Sequence, residues 1–467
     1  MQEKISLSII RKLQKSGHQA YWVGGCVRDI LMGKSPKDYD IVTSARPEEI
    51  EKTLKSFNII PVGKKFGVIL AEKDGFNFEI ATFRSESKYT DARRPDKVFW
   101  TSAYNDASRR DFTINGLYLD PLIKEKVEVW QLPGIRQMKT TNYGLVVDYV
   151  GGIKDLETKT IRFIGNPNER IKEDHLRLLR AVRFKITLDF NFNEETENSI
   201  KNNAELIDTV SKERVRDELN KIFSSPRRAQ GLIELDSSGL LEFVLPEISK
   251  LKGIPQPIEY HKEGDVFMHT YLAIKSLPAE SPITLVWAVL LHDTGKAETI
   301  SYPKTKDDRI RFNKHVKYSA GIASEVCRRL KFPNFERELI VWLVKNHMII
   351  GDIPKMRLSK QRLLLMDKRF LWLLNLHKAD ALGSWPEDLS LYKTDLSLYN
   401  TAKKLYDQEK KRPKYKPLVT GNDIIQNFNV KEGPEIGKIL QTIKELQLEG
   451  KIKNKKEALN YLQKLSL

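Results

Sequence analysis

The sequence predicts an α+β chain, with an N-terminal mixed α/β head followed by an almost entirely helical remainder. Three observations lead there. Short apolar runs alternate with helical patterns up to about residue 150, a 3.6-residue periodicity takes over from Arg170, and 467 residues exceed what one hydrophobic core organises. Breaks near Ser225-Pro226, Gly253-Ile254-Pro255 and Lys411-Arg412-Pro413 divide the helical part. The expected units are 1–150, 151–254, 255–400 and 401–467. Neither a fixed-period repeat nor a low-complexity tract is present.

Composition narrows the class. With 40% hydrophobic and 30% charged residues the chain has enough apolar side chains for several cores. No run approaches the roughly eighteen apolar residues of a membrane span, and Met1-Gln2-Glu3-Lys4 is not a signal peptide, so the expected location is the cytoplasm, away from membranes. Cys26 and Cys327 are too few for a disulfide framework or a four-cysteine zinc site. A net charge of +17 favours a polyanionic partner.

Along the head, Ile5 to Leu13 reads as a helix, Ala20 to Val23 as a buried strand, Pro47 to Leu54 as a helix and Gly67 to Leu70 as a strand. Gly24-Gly25 after the first strand lets backbone approach a triphosphate with no Cβ in the way, and Arg28 follows. In Asp38-Tyr39-Asp40-Ile41-Val42, period-two alternation puts both carboxylates on one face and Tyr39 on the other. Two carboxylates so placed repel unless a cation lies between them, and hard oxygen ligands suit Mg²⁺. Two-ion chemistry activates an attacking hydroxyl and neutralises a pyrophosphate leaving group.

This pairing of Gly24-Gly25-Cys26-Val27-Arg28-Asp29 with Asp38-Tyr39-Asp40 resembles the head of the class II tRNA nucleotidyltransferase and bacterial poly(A) polymerase family, relatives of the DNA polymerase beta superfamily. Phe76 to Arg84 reads as a strand, in which Glu79 is either a third carboxylate beside the pair or an exposed edge acid. The polar stretch from Arg84 to Asp96 reads as a mobile loop, which in the resembling family helps to switch nucleotides. Arg109-Arg110-Asp111-Phe112-Thr113-Ile114-Asn115 matches a second family block. There Arg110 offers the triphosphate a forked donor set and Asp111 an acceptor for the ribose 2′-hydroxyl.

Arg170 to Phe184 reads as one helix with Asp174, Arg177, Arg180 and Arg183 along a flank. On spacing alone Asp174 and Arg177 describe an i,i+3 ion pair on a solvated helix face. The segment resembles the family's E-D-x-x-R motif, which implies that the two read the Watson–Crick edge of cytosine or adenine. Trp130 to Gly144 departs from the family pattern and reads as a surface insertion.

Further on, His269, His292-Asp293 and Asp380 resemble the ligand set of the HD phosphohydrolase domain, and His315 and His347 the extra ligands of its two-metal versions. Imidazoles with carboxylates suit a transition metal such as Ni, Mn, Co or Fe, and the resemblance implies phosphomonoester or cyclic-phosphate hydrolysis. In the tail, Gly433-Pro434-Glu435-Ile436-Gly437 resembles a family segment that opens a helix toward RNA phosphate. Taken together, the resemblance implies a Mg²⁺-dependent enzyme that adds CCA, or its final A, to tRNA from CTP and ATP. A poly(A) polymerase and a metal-dependent phosphohydrolase are the alternatives, and no oligomeric state follows.

Overall fold

The computed structural model describes residues 1–60, 63–86, 98–123, 134–305, 308–385, 389–428 and 430–464, which form two compact units, Met1–Val244 and Leu245–Leu467. The first opens with α1 (Gln2–Lys15), β1 (Ala20–Val23), α2 (Gly25–Leu31), β2 (Ile41–Thr43) and α3 (Pro47–Thr53). Then come β3 (Asn58–Ile60), β4 (Val68–Lys73), β5 (Phe76–Thr82), β6 (Arg84–Glu86), β7 (Val98–Trp100) and α4 (Ala103–Ser108). The head closes with β8 (Leu117–Asp120), β9 (Gln137–Thr141), β10 (Gly144–Asp148) and α5 (Gly152–Glu157).

Eight strands make one sheet in the order β3-β4-β5-β2-β1-β8-β10-β9, with β2 and β5 parallel and the other neighbours antiparallel. Apolar residues cover both faces. Ile9, Ile10 and Leu13 of α1 pack with Trp22, Ile41 and Ile80 on one face, while Val23, Val42, Tyr118 and Val147 line the other. Central strands buried on two faces need such near-continuous apolar runs, which Trp22-Val23 and Ile41-Val42 supply.

The presumed insertion is partly structural. Residues 130–133 lie outside those described, but Gln137 to Thr141 form the edge strand β9, pairing Gln137 with Asp148 and Thr141 with Gly144. A polar edge strand has no apolar alternation to announce it, so the sequence marks the stretch only as a surface insertion. The expected switching loop is bounded by a hairpin, since Arg84 pairs with Trp100 and Glu86 with Val98; residues 87–97 between them lie outside the described part.

The helical portion of this unit contains β11 (Thr160–Ile161), α6 (Pro167–Glu173), α7 (Arg177–Leu188), β12 (Asn191–Phe192), α8 (Glu194–Asn202), α9 (Lys212–Phe223), α10 (Arg228–Ser237) and α11 (Leu241–Val244). Strands β11 and β12 form a two-residue parallel pair within otherwise helical sequence. The expected continuous helix from Arg170 is broken at Asp174, whose φ of −147° and ψ of 105° are extended. Leu176 and Leu178 are buried, and the break turns the apolar face of α7 onto the core.

The second unit comprises α12 (Pro246–Ser249), α13 (Val266–Ser276), α14 (Ile283–Leu291), α15 (Lys296–Thr299), the paired β13 (Ile300–Ser301) and β14 (Arg311–Phe312), α16 (His315–Arg329) and α17 (Asn334–Asn346). After it come α18 (Leu358–Met366), α19 (Phe370–Gly383), α20 (Leu389–Lys410), α21 (Gly421–Phe428), α22 (Pro434–Leu448) and α23 (Lys455–Lys464). Helix α14 is buried from Thr284 to Leu291 and forms the axis of the unit, with α13, α16, α17 and α19 packed on it. The tail has its own small core of Val419, Ile424, Ile436, Ile443, Ile452, Ala458 and Leu462. Among the described residues no helix is long and apolar enough to cross a membrane.

Candidate functional site

Two clusters carry the chemistry, one in each unit. In the first, β1 ends at Val23 and Gly24 adopts φ 74°, a left-handed conformation that glycine takes without strain. A Cβ on Gly24 would lie 3.6 Å from Arg110 Nη1, and one on Gly25 3.6 Å from Arg28 Nη2. The turn thus faces guanidiniums directly. It belongs to the wall of a cavity of about 490 Å³ that also includes Arg28, Asp40, Arg110, Asp111, Asp174, Arg177, Arg180 and Arg183. Asp38 and Glu79 stand outside that lining.

The acidic pair sits just ahead of β2 rather than within it, although the Val23 amide donates to the Asp40 carbonyl and continues the ladder. Its alternation is as expected: Tyr39 is buried with its ring 4.9 Å from that of Trp22, while Asp38 and Asp40 are exposed. Glu79 is exposed as well, and the parallel pairing of Ile41 with Ile80 places it beside Asp40. Partial desolvation by the pocket wall, followed by the charge of Glu79, raises the Asp40 carboxyl to about 6. A divalent cation relieves such a concentration of negative charge, so the three acids fit one.

Arg110 is aimed by residues that the sequence did not single out. Its Nη2 lies 3.3 Å from Asp106 Oδ2, its Nε donates to the Tyr118 hydroxyl at 3.4 Å, and Tyr118 also donates to Asp106. Asp106 is fully buried and also accepts from Arg109 at 2.8 and 2.9 Å. Against the cost of burial, Arg110 and Arg109 hold its carboxyl at about 2. Arg28 donates to Asp29 at 2.8 and 3.0 Å and to Asn115 Oδ1 at 2.8 Å.

Asp111 is heavily engaged. Arg180 donates to it from Nε at 2.9 Å and from Nη2, the Phe112 amide at 2.8 Å and Asn115 Nδ2 at 3.2 Å. Despite its burial, Arg180 holds this carboxyl well below the usual range. The expected flank of Asp174 and Arg177 is divided by the break between α6 and α7. Arg177 pairs with Glu173 at 2.6 Å, whereas Asp174 accepts from Arg214 of α9 at 2.8 and 3.1 Å. Arg183 pairs with Glu218 at 2.6 Å. Phe184 joins these groups, with Arg183, Arg28 and Arg180 at 4.0, 5.4 and 5.5 Å from its ring centre. Arg84 and Arg109 complete the lining, so seven guanidiniums face three carboxylates. A polyphosphate suits that surplus.

Family models match three stretches of the chain: the poly A polymerase head domain at residues 20–162, the probable RNA and SrmB-binding site of polymerase A at 189–252, and the putative tRNA nucleotidyltransferase domain 2 at 310–462. The CCA-adding enzyme of Lactobacillus delbrueckii subsp. bulgaricus is 35% identical over 289 residues, 60% of this chain and 67% of the relative. The chain belongs to the CCA-adding enzyme family. The Bacillus subtilis CCA-adding enzyme is 36% identical over 62% of this chain and 64% of its own length. Against the Limosilactobacillus reuteri CCA-adding enzyme, at 38% identity, the chain spans about half of the relative's length, 53%. In fold it resembles the Bacillus stearothermophilus CCA-adding enzyme crystallised with CTP, at a TM-score of 0.69 and 24% identity over 99% of this chain and 96% of that one.

The second cluster lies in the helical unit of this family member. His269 of α13, His292 and Asp293 after α14, His315 of α16, His347 after α17 and Asp380 of α19 converge. His269 Nε2 is 3.1 Å from Asp380 Oδ1 and 3.7 Å from Asp293 Oδ2, and His292 Nε2 is 3.6 and 3.3 Å from the same two atoms. Asp293 Oδ1 faces His315 Nε2 at 3.6 Å and His347 Nε2 at 3.9 Å. Lys296 Nζ, 2.7 Å from Asp293 Oδ2, also donates to Gln256. Against the cost of burial, His292 and Lys296 hold Asp293 well below the usual carboxylate range. A cavity of about 320 Å³ opens onto Asp293, His315, His347 and Asp380, with His261 and His377 also in its wall.

Tautomers follow from the outer partners. Nδ1 of His292, His315 and His347 lies 2.7, 2.9 and 2.8 Å from a backbone carbonyl, so each Nδ1 carries a proton, and in the neutral ring the Nε2 lone pair turns inward. Two Nε2 pairs then face each other, His269 with His292 at 3.3 Å and His315 with His347 at 3.4 Å. Lone pairs at that distance call for a cation or a proton between them.

Proposed function

We propose that the first unit transfers nucleotides from CTP and ATP to the 3′ end of tRNA, building CCA or its terminal A. The observation that carries this reading is the single cavity that joins the Gly24-Gly25 turn, Asp40 and seven arginines to the Asp174–Arg177 segment. In this reading Asp38 and Asp40, with Glu79 adjacent, hold Mg²⁺, which when bound supplies charge neutralisation for the reacting phosphate and the leaving pyrophosphate. Arg28 and Arg110 hold the triphosphate, each braced by an acidic partner that fixes its fork. Asp174 and Arg177 present an acceptor and donors to the base edge, so side chains rather than a nucleic acid strand specify the nucleotide. Asp111 holds Arg180 and the Asn115 amide in place, and a ribose hydroxyl would share an acceptor already in use. The setting is the cytoplasm, where tRNA ends are completed, and the expected divisions at 150, 254 and 400 separate catalytic head, base-reading neck, histidine-bearing body and tRNA-contacting tail.

A gel assay tests this with Mg²⁺ and tRNA transcripts ending at the discriminator base, at C or at CC, each given CTP, ATP or both. Addition of C, C and one A, then arrest, is the expected result. A added only to the CC end marks an A-adding enzyme, a long A ladder a poly(A) polymerase, and no extension refutes the reading.

The convergence of four histidine Nε2 atoms on two carboxylates favours a second activity in the other unit. We propose that His269, His292, Asp293 and Asp380, with His315 and His347, bind divalent transition metal for hydrolysis of phosphate at RNA 3′ ends. Bound metal supplies an activated water. Phosphate release from 3′-phosphorylated or 2′,3′-cyclic RNA, lost on treatment with a chelator and restored by Ni²⁺ or Mn²⁺, tests it; metal-replete protein without release refutes it.

A further inference from the structure

The four histidines of the second cluster do not share the same support. His292, His315 and His347 lean on neutral backbone carbonyls, whereas His269 Nδ1 is 3.2 Å from a carboxylate, Glu263 Oε1, with Ser384 Oγ at 3.5 Å. Glu263 is itself fixed. Its side chain is 1% exposed, its Oε1 also accepts from His261 Nδ1 at 2.6 Å, and its Oε2 accepts from the Trp385 amide at 2.8 Å. A carboxylate behind an imidazole locks the tautomer and raises the basicity of the inward nitrogen more than a carbonyl does.

The two halves of the cluster also differ in ligand number and access. One half has His269, His292, Asp380 and the Oδ2 side of Asp293; the other has His315, His347 and the Oδ1 side of Asp293. His269 and His292 are fully buried and stand outside the cavity wall, whereas both imidazoles of the second half, His315 and His347, line it, with Asp380 the first half's own contribution beside the shared Asp293. Lys296 offsets part of the charge on Asp293 Oδ2, but Asp380 and Glu263 leave the first half more negative than the second.

We propose that this cluster holds two metal ions unequally: a tightly held ion at His269, His292, Asp293 and Asp380, whose affinity Glu263 sets through His269, and an exchangeable ion at Asp293, His315 and His347. This rests on the metal-binding reading above. Glu263 is thus a positioning residue, and the exchangeable half, open to the cavity, has fewer protein ligands and room for a phosphate oxygen.

Calorimetric titration of chelator-stripped full-length Asp40→Ala protein, in which the head's carboxylate site is disabled, with Mn²⁺ alone, and separately with Ni²⁺ alone, tests it. Two classes at least about 10-fold apart are expected. Glu263→Gln should weaken the tight class about 10- to 100-fold and leave the weak one in place. His315→Ala should remove the weak class and keep the tight one, a result that stands even if Glu263→Gln folds poorly by circular dichroism. Two equal classes, or loss of the tight class in His315→Ala, overturn the inequality while leaving metal binding intact. Absence of any binding in the Asp40→Ala parent overturns both the inequality and the reading beneath it.

Discussion

The cavity of the first unit and the histidine cluster of the second solve opposite electrostatic problems. In the first, positive groups outnumber negative ones, and most arginines are braced by an acid yet keep part of their fork turned to the cavity. In the second, acceptor lone pairs converge in a buried space with Lys296 as the cation closest to Asp293. One is built to receive a polyanion, the other to receive a cation. The lesson is that a charged site declares its ligand through what its internal pairing leaves unsatisfied.

The sharpest break between the two comes from Asp40→Ala. It should lower nucleotide addition by about 10³-fold, as expected for loss of several kcal/mol of metal-assisted stabilisation, with metal binding in the second unit unchanged. Equal losses at both sites, measured by tRNA extension and by metal titration, would show that the sites are not independent. Arg110→Lys keeps the charge and removes the fork, so addition should fall about 10²-fold, comparable to loss of one preorganised donor. An unchanged rate would mean that point charge alone suffices in the cavity.

A smaller effect sharpens the account of base choice. Arg214 holds Asp174 from α9, and Arg214→Ala should change the ratio of CTP to ATP incorporation by about 10-fold while total triphosphate affinity changes less. Unaltered selectivity with weaker binding of both nucleotides would assign Arg214 to folding only.

The smallest concerns stability against pH. Asp106 sits at about 2 in the folded chain and about 3.9 when unfolded, so its contribution is fully present above pH 4 and is lost as pH falls through 2. The contribution is of order 2 kcal/mol. Urea unfolding of wild type and Asp106→Asn should therefore converge between pH 4 and pH 2, and a constant gap would show that the difference does not come from ionisation.

Legibility in the sequence followed locality. Gly24-Gly25 and Asp38-Tyr39-Asp40 were readable because turn and strand alternation act over a few residues, and Tyr39 is indeed the buried member. The six histidine and aspartate positions of the second cluster were readable as motifs, and their convergence follows from four helices packing on α14. What was not readable depends on register across distance. Asp106 reaches Tyr118 only because α4 packs beside β8, and Asp174 meets Arg214 forty residues on. The break at Asp174 was hidden as well, since Arg170 to Phe184 keeps a helical period that burial of Leu176 and Leu178 overrides. Glu263 left one usable signal, His261-Lys262-Glu263 shortly before His269, whose meaning depends on where those rings turn.

Phe184 has a consequence for sequence tolerance. On one side it meets the fully buried Phe112 at 5.5 Å, and on the other it offers its ring to Arg28, Arg180 and Arg183. A leucine would fill much of the same volume and satisfy the core, but it has no π face to present to the three guanidiniums. Drift at this position is therefore confined to aromatic residues, and a change that looks conservative by size would be felt first by the ligand.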